Sequence, residues 1–231
     1  MSRILIFLML FSNPHSILKK ETDETFLKGI DPDSSSGAHA SYTSSVIIHS
    51  KPVDGPSAIG SGNYFKIRNH RFVITAHHVI EGAKEIRVFE RSSDYVHAKV
   101  VLVNLDRDYA VLMLNERLSY TKPSKYISQE ISFVGEQIYH CGHPNENYFN
   151  LSEGVITNRE KDFYVTNASA WPGSSGSVVF SEEGEVVGVI SSIKIDLPYG
   201  IPQLIPYMTR IGRLSGLSKK DIVEALLANE N

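Results

Sequence analysis

The chain has 231 residues, 42% of them apolar, with 23 Lys and Arg against 26 Asp and Glu for a formal charge of −3. That length and apolar share fit one or two compact units with a real core. The near balance of charge supplies no concentrated basic face, which excludes a nucleic-acid partner, and the single cysteine, Cys141, excludes an intrachain disulfide.

At the N-terminus, Arg3 precedes eight apolar residues, Ile4 to Phe11. The run is too short for a stable membrane span. It suits the apolar region of a secretory signal, although Leu10 and Pro14 around Ser12 make a poor cleavage site. Residues 1–16 are therefore read as a signal peptide of an exported (periplasmic or secreted) protein, or as an apolar tail or first strand of a cytoplasmic one. Residues 17–45 are polar and Ser-rich, and read as a loose arm.

From Val46 the pattern changes to short runs rich in Val, Ile, Tyr and Phe. In order they are SVIIH, NYFKI, RFVITA, EIRVFE, VHAKVVLV, YAVLML, EISFV, EQIYHC, EGVIT, FYVT, GSVVF and EVVGVIS. Turn residues separate them, as strands require. Many short strands without alternating long helices predict an all-β protein. A first β unit is expected over 46–120, a polar connection over 121–132 and a second unit over 133–213. In residues 214–231, Ser218 stands three before Asp221, as in a capping box. Ile222, Val223, Leu226 and Leu227 share one helical face, which predicts a C-terminal helix packed on the second unit.

Three segments carry candidate chemistry. In WPGSSGSVVF (171–180), Gly173-Ser174-Ser175-Gly176 is a small-residue turn leading into a strand. A serine nucleophile needs an exposed tight turn with backbone N–H groups aimed at a developing oxyanion, and flanking glycines permit that shape. Read alone, it is also an ordinary Gly/Ser turn. In TAHHVI (75–80), His77 and His78 end an apolar strand, where surface polarity is the plain reading and proton transfer the functional one. In NLDRDYAVLML (104–114), Asp106 and Asp108 precede a strand that is apolar on both faces. A buried aspartate there needs a hydrogen-bond partner, and an imidazole N–H would serve.

Taken together, a histidine, an aspartate and a serine in this chain order resemble the trypsin/chymotrypsin-fold serine endopeptidases. Within that group the chain resembles the HtrA/Deg-type (high-temperature-requirement) proteases over about residues 56 to 213. SAIGSGNYFKI is similar to the family's glycine-containing first strand, and FVITAHHVI to its T-x-x-H-V, which selects His78. AKVVLVNLDRDYAVLML resembles its A-x-V…D-x-A-x-L strand pair and selects Asp108. VGEQIYHCGHPNENYFNLSEGVIT resembles its V-G…G-x-P…G-I-V segment, and VTNASAWPGSSGSVVF its P-G-N-S-G-G-P turn, with Ser175 at the nucleophile. GEVVGVISS is similar to the strand that follows. Ser174, Ser177 and Val178 depart from the family's residues at that turn.

The resemblance implies two antiparallel β-barrels of the chymotrypsin type. His78 would be the base, Asp108 its orienter and Ser175 the nucleophile, with the N–H groups of Gly173 and Ser175 holding the oxyanion. Ser169, six residues before the nucleophile, would lie at the base of the primary pocket, faced by Ser191, Ser192 and Ile193. No charge there implies a small to medium uncharged P1 side chain, and Trp171 is expected to pack. The substrate would be a protein or peptide, with no cofactor. No PDZ-like module is expected after the protease-like region, and the resemblance implies no particular oligomeric state. His140, Cys141 and His143 offer metal-ligand types, but adjacent residues of a strand point to opposite faces, so no metal is expected. The alternative function is a catalytically inactive barrel that binds peptides or a partner.

Overall fold

The computed structural model describes residues 29–92, 94–196 and 203–229, with the strands Leu5–Phe7 and Leu10–Phe11. The signal cleavage site considered near Ser12, and the arm up to residue 28, lie outside the described residues. In chain order, β1 (Leu5–Phe7), β2 (Leu10–Phe11) and a helix α1 (Ser36–Ser44) come first. Then follow β3 (Ser45–Pro52), β4 (Ala58–Ile67), β5 (His70–Thr75), a one-turn α2 (His77–Ile80), β6 (Ala83–Phe89), β7 (Tyr95–Asn104) and β8 (Tyr109–Leu114). These strands pair in the order β4-β3-β6-β7-β8-β5, and β5 returns to β4 to close a six-stranded antiparallel barrel.

The connection contains β9 (Ser124–Lys125), parallel to β4. The second barrel comprises β10 (Gln137–Gly142), β11 (Asn150–Arg159), β12 (Phe163–Thr166), β13 (Val178–Ser181), β14 (Val186–Asp196) and β15 (Gln203–Arg213). Its order is β14-β13-β10-β11-β12-β15, closed by β14 against β15. Helix α3 (Lys219–Leu227) follows. This is the chymotrypsin-like fold, all-β apart from short helices.

Strand periodicity assigns each face to a core. On β13, Val178 and Phe180 face the first barrel's cluster while Val179 faces the second barrel's interior, as a period of two requires. Phe65 stacks on Phe72 at 5.6 Å and on Phe180 at 6.0 Å, so aromatic packing joins the barrels.

Four expectations need correction. First, α3 packs on the first barrel, not the second: Ile222 and Leu226 are buried in the cluster that holds Phe72, Tyr109 and Tyr126. Its capping box forms, with the Ser218 hydroxyl accepting from Asp221 N–H and the Asp221 carboxylate accepting from Ser218 N–H. Leu227 stays 47% exposed, because the buried stripe follows the i, i+4 pair. Second, α1 lies within the supposed loose arm. Apart from Ala38 and Ala40 its residues are weak helix formers and it is only nine residues long, so packing must hold it. Ser35 caps it by accepting from Ala38 N–H at 3.2 Å, and Gly37 lies so close to β13 that an added Cβ would stand 1.8 Å from the Ser181 carbonyl oxygen.

Third, EISFV is not a strand. Phe133 to Glu136 form a turn, with Glu136 N–H donating to Phe133 C=O at 3.1 Å and Gly135 at φ +91°, and Phe133 is left 63% exposed. Fourth, β15 was absent from the expected strands because Pro206 interrupts its pattern. The ladder accommodates it through a register shift between Ile193↔Thr209 and Lys194↔Ile205, where a missing N–H costs least.

His140, Cys141 and His143 go to three separate environments, and among the described residues no metal-ligating group is assembled. His140 Nε2 donates to Ser169 C=O at 2.9 Å. Cys141 is buried with Ile47, Ile59, Phe89 and Phe149, which pushes its thiol up to about 12. His143 Nε2 donates to Val46 C=O at 3.0 Å, and its Nδ1 accepts from Phe149 N–H at 3.0 Å. Burial lowers His140 to about 4 and His143 to about 3.

Both rings therefore stay neutral in the fold while the unfolded chain takes up protons from about pH 6.5 downward. Stability should be full above about pH 6.5 and fall toward pH 4, by up to about 1.4 kcal/mol per pH unit for each ring. Urea unfolding at pH 7 and pH 5 should show this loss. His140→Gln, which keeps a donor for Ser169, should flatten the dependence; an unflattened dependence would contradict the neutral buried ring. Separately, Leu226→Ala should lower the unfolding free energy measured in urea by about 2 to 5 kcal/mol. A change below about 0.5 kcal/mol, the usual surface value, would place α3 off the barrel.

Candidate active site

Apolar β5 ends at Thr75, and the chain turns through Ala76 into α2, which carries His78 into the cleft at 3% exposure. Asp108 stands at the start of β8 and has φ +53°, a left-handed conformation that Asp tolerates better than most residues. The preceding turn sets it, with Arg107 N–H donating to Asn104 Oδ1 at 3.0 Å. Its buried carboxylate receives three donors. Oδ1 accepts from His78 N–H at 3.0 Å, and Oδ2 from His78 Nδ1 at 2.7 Å and from Ser191 Oγ at 2.5 Å. Since a carboxylate only accepts, Nδ1 carries the ring proton, and in the neutral ring Nε2 holds the lone pair.

The other candidates separate cleanly. His77 gives its backbone N–H to Asp108 C=O at 3.2 Å, and its side chain makes no hydrogen bond among the described residues. Asp106 is exposed in the turn.

The Ser175 loop is held from several directions. Ser191 C=O lies 3.5 Å from Ser175 Oγ, so one residue, Ser191, touches both Asp108 and Ser175. Ser61 on β4 donates N–H to Ser175 C=O at 2.7 Å and Oγ–H to Gly173 C=O at 2.7 Å, and its Oγ accepts from His143 N–H at 3.1 Å. Asn63 Oδ1 accepts from Val178 N–H at 2.9 Å, while its amide donates to Ser41 C=O and Ser44 Oγ of α1. Gly176 has φ +92°, and a Cβ there would stand 2.1 Å from Ser61 C=O. Only glycine fits both that conformation and that approach.

The turn also presents donors. Pro172 C=O accepts from Asn145 N–H at 2.8 Å, which by peptide planarity turns the Gly173 N–H the other way. Among the described residues the N–H groups of Gly173 and Ser175 donate to none. Ser177 and Ser174, departures from the family turn, are used within it: Ser177 Oγ donates to Ser174 C=O at 2.5 Å.

Ser169 and its neighbours Ala168 and Ala170 sit beside buried His140, and Ser191, Ser192 and Ile193 are all buried on β14. Two placements differ from expectation. Ser175 is 0% exposed rather than open at the turn, because β4 and β14 close on it. Trp171 is 41% exposed rather than packed, because it begins the turn that leaves the barrel. Ser61 and Asn63 were missed. Their signal was polar residues inside an apolar strand, at positions that a solvated strand face would equally explain.

The trypsin-like peptidase domain family matches residues 60–189. The chain is 33% identical over 146 residues to "Probable periplasmic serine endoprotease DegP-like" of Pseudomonas savastanoi pv. phaseolicola, covering 59% of this chain and 29% of that one. It is 28% identical over 158 residues to "Serine protease Do-like HtrA" of Bacillus subtilis, covering 62% and 35%. It is 27% identical over 150 residues to "Protease Do-like 1, chloroplastic" of Arabidopsis thaliana, covering 60% and 34%. The chain thus spans about a third of the length of these relatives. A solved serine endoprotease from Yersinia pestis superposes with a TM-score of 0.61 at 19% identity, over 83% of this chain and 66% of that one, a likeness of fold. With more than half of its length matched, the chain belongs to the trypsin-like peptidase domain family.

Proposed function

We propose that the protein is a serine endopeptidase in which His78, Asp108 and Ser175 act as the triad. The carrying observation is the Asp108 carboxylate, which grips His78 at both N–H and Nδ1 while Ser191 ties it to Ser175. His78 Nε2 accepts the Ser175 proton as the hydroxyl attacks a peptide carbonyl. Asp108 fixes the tautomer and stabilises the imidazolium that forms. The N–H groups of Gly173 and Ser175 bind the oxyanion, and their lack of acceptors among the described residues supports that role. Water then clears the acyl-enzyme.

Ser169 at the pocket base, with Ala168 and Ala170 beside it, suits an uncharged small to medium P1 side chain. Ser191, Ser192 and Ile193 form the facing wall. No helix among the described residues is long and apolar enough to cross a membrane. The names of the periplasmic relatives support export, and the substrate is a protein or peptide.

Steady-state hydrolysis of peptide libraries tests this reading. Ser175→Ala and His78→Ala should each lower kcat by about 10⁴-fold or more, with KM little changed. His77→Ala should stay within about threefold, because a surface ring contributes little to the transition state. Cleavage should favour Ala, Val or Leu over Lys or Arg at P1. Full activity in Ser175→Ala would contradict Ser175 as the nucleophile, and folded wild type that binds peptides without cleaving them would leave the inactive peptide-binding barrel as the reading.

A further inference from the structure

We infer that Asn63 is a positioning residue that lets this chain close the Ser175 turn on Val178, and that helix α1 sets the orientation of its amide. The inference rests on the reading of Ser175 as the nucleophile.

Val178 stands where the turn that this one resembles, P-G-N-S-G-G-P, ends on proline. The exchange has a chemical consequence. Proline has no backbone N–H and fixes its own φ, whereas valine adds a donor and frees that torsion. Val178 is fully buried, so the added N–H needs an acceptor inside the protein. Ile190 of β14 engages the two preceding residues, accepting from Gly176 N–H at 2.8 Å and donating to Ser177 C=O at 2.9 Å. Val178 N–H goes elsewhere, to Asn63 Oδ1 at 2.9 Å. Asn63 thus supplies from the first barrel the restraint that a proline ring would supply within the turn.

The amide serves only one way round, and α1 decides which. Asn63 is buried on β4, and its Nδ2 donates to Ser41 C=O at 3.0 Å and to Ser44 Oγ at 2.9 Å. Ser44 Oγ gives its own hydrogen to Ala40 C=O at 2.7 Å, so toward Asn63 it can only accept. A carbonyl such as that of Ser41 also only accepts. Both groups of α1 therefore call for the NH2 end of the amide, and that leaves Oδ1 facing Val178. A flipped amide would set its oxygen against two acceptors and its NH2 against a donor.

The same helix reaches the other end of β13. Gly37 N–H donates to Glu182 C=O at 3.0 Å, one residue past the end of the strand at Ser181. The strand that leaves the nucleophile turn is thus held at its start through Asn63 and just past its end directly, both times by α1. Ser175 lies only three residues before Val178, so a slack strand start moves Ser175 Oγ. A misplacement of about 1 Å from the reacting geometry costs about 100-fold in rate. A polar residue inside apolar β4 and a valine in place of proline each lack a reason alone, and each answers the other.

The test is a double-mutant cycle on the full chain. Asn63→Leu keeps the branched shape of the side chain without its polar atoms, and Val178→Pro removes the donor. Peptide hydrolysis is measured per folded molecule, with the native fraction taken from near-ultraviolet circular dichroism. Asn63→Leu should lower kcat about 100-fold and leave KM within about threefold, because it shifts the nucleophile and not the pocket. Adding Val178→Pro to Asn63→Leu should raise kcat about tenfold or more, since the orphaned N–H is gone and the ring restores the restraint. An asparagine with a merely structural role would lower the native fraction and leave kcat of the folded molecules unchanged. That result, or losses from the two single variants that simply multiply in the double variant, overturns the inference. Folded wild type that cleaves no peptide overturns the protease reading itself, and the inference with it.

Discussion

The structure depends on one docking contact: the Gly173–Val178 turn of the second barrel laid against Ser61 and Asn63 of the first. Ser61 uses its N–H and hydroxyl on the carbonyls of Ser175 and Gly173, and Asn63 accepts the Val178 N–H. Each of these is a buried polar group, so each bond left unmade would cost about 1 to 3 kcal/mol. The contact has no slack, since Gly60 and Gly176 both mark approaches that a Cβ would obstruct. Through Asn63 the same contact reaches α1, and through Ser61 it reaches His143 and the turn that follows. Ser175, the proposed nucleophile, is thus positioned by the other barrel, and neither barrel alone contains the candidate site.

Asp108 shows the same logic from the opposite side. A buried carboxylate is tolerated only when donors surround it, and here the donors are the parts that need placing: His78 twice and Ser191 once. Stability and orientation are met by the same bonds. The left-handed backbone at Asp108 aims the carboxylate into the cleft at some local cost, and functional sites are where such strain collects.

The β-rich runs and the two-unit division were legible, because strand alternation and turn composition are local properties. For the proposed base the structure adds a contact: on the single turn of α2, the ring of His78 meets Asp108, while His77 offers Asp108 only a backbone N–H. What stayed hidden depends on distant partners. Helix α1 reads SGAHASYTS, in which only the two alanines favour a helix, and it is held because β13 lies against it. The side on which α3 packs depends on Tyr109 and Tyr126, about a hundred residues away in sequence. EISFV has strand composition, but a glycine turn folds it out of the sheet.

The most direct measurement of the central claim is labelling of the folded protein with a fluorophosphonate, a reagent that captures serines activated by a neighbouring base, with the adduct mapped by peptide mass spectrometry. The account predicts one adduct, on Ser175, retained in His77→Ala and lost in His78→Ala. Folded protein with no adduct, or an adduct on Ser174 or Ser177 in place of Ser175, would contradict it.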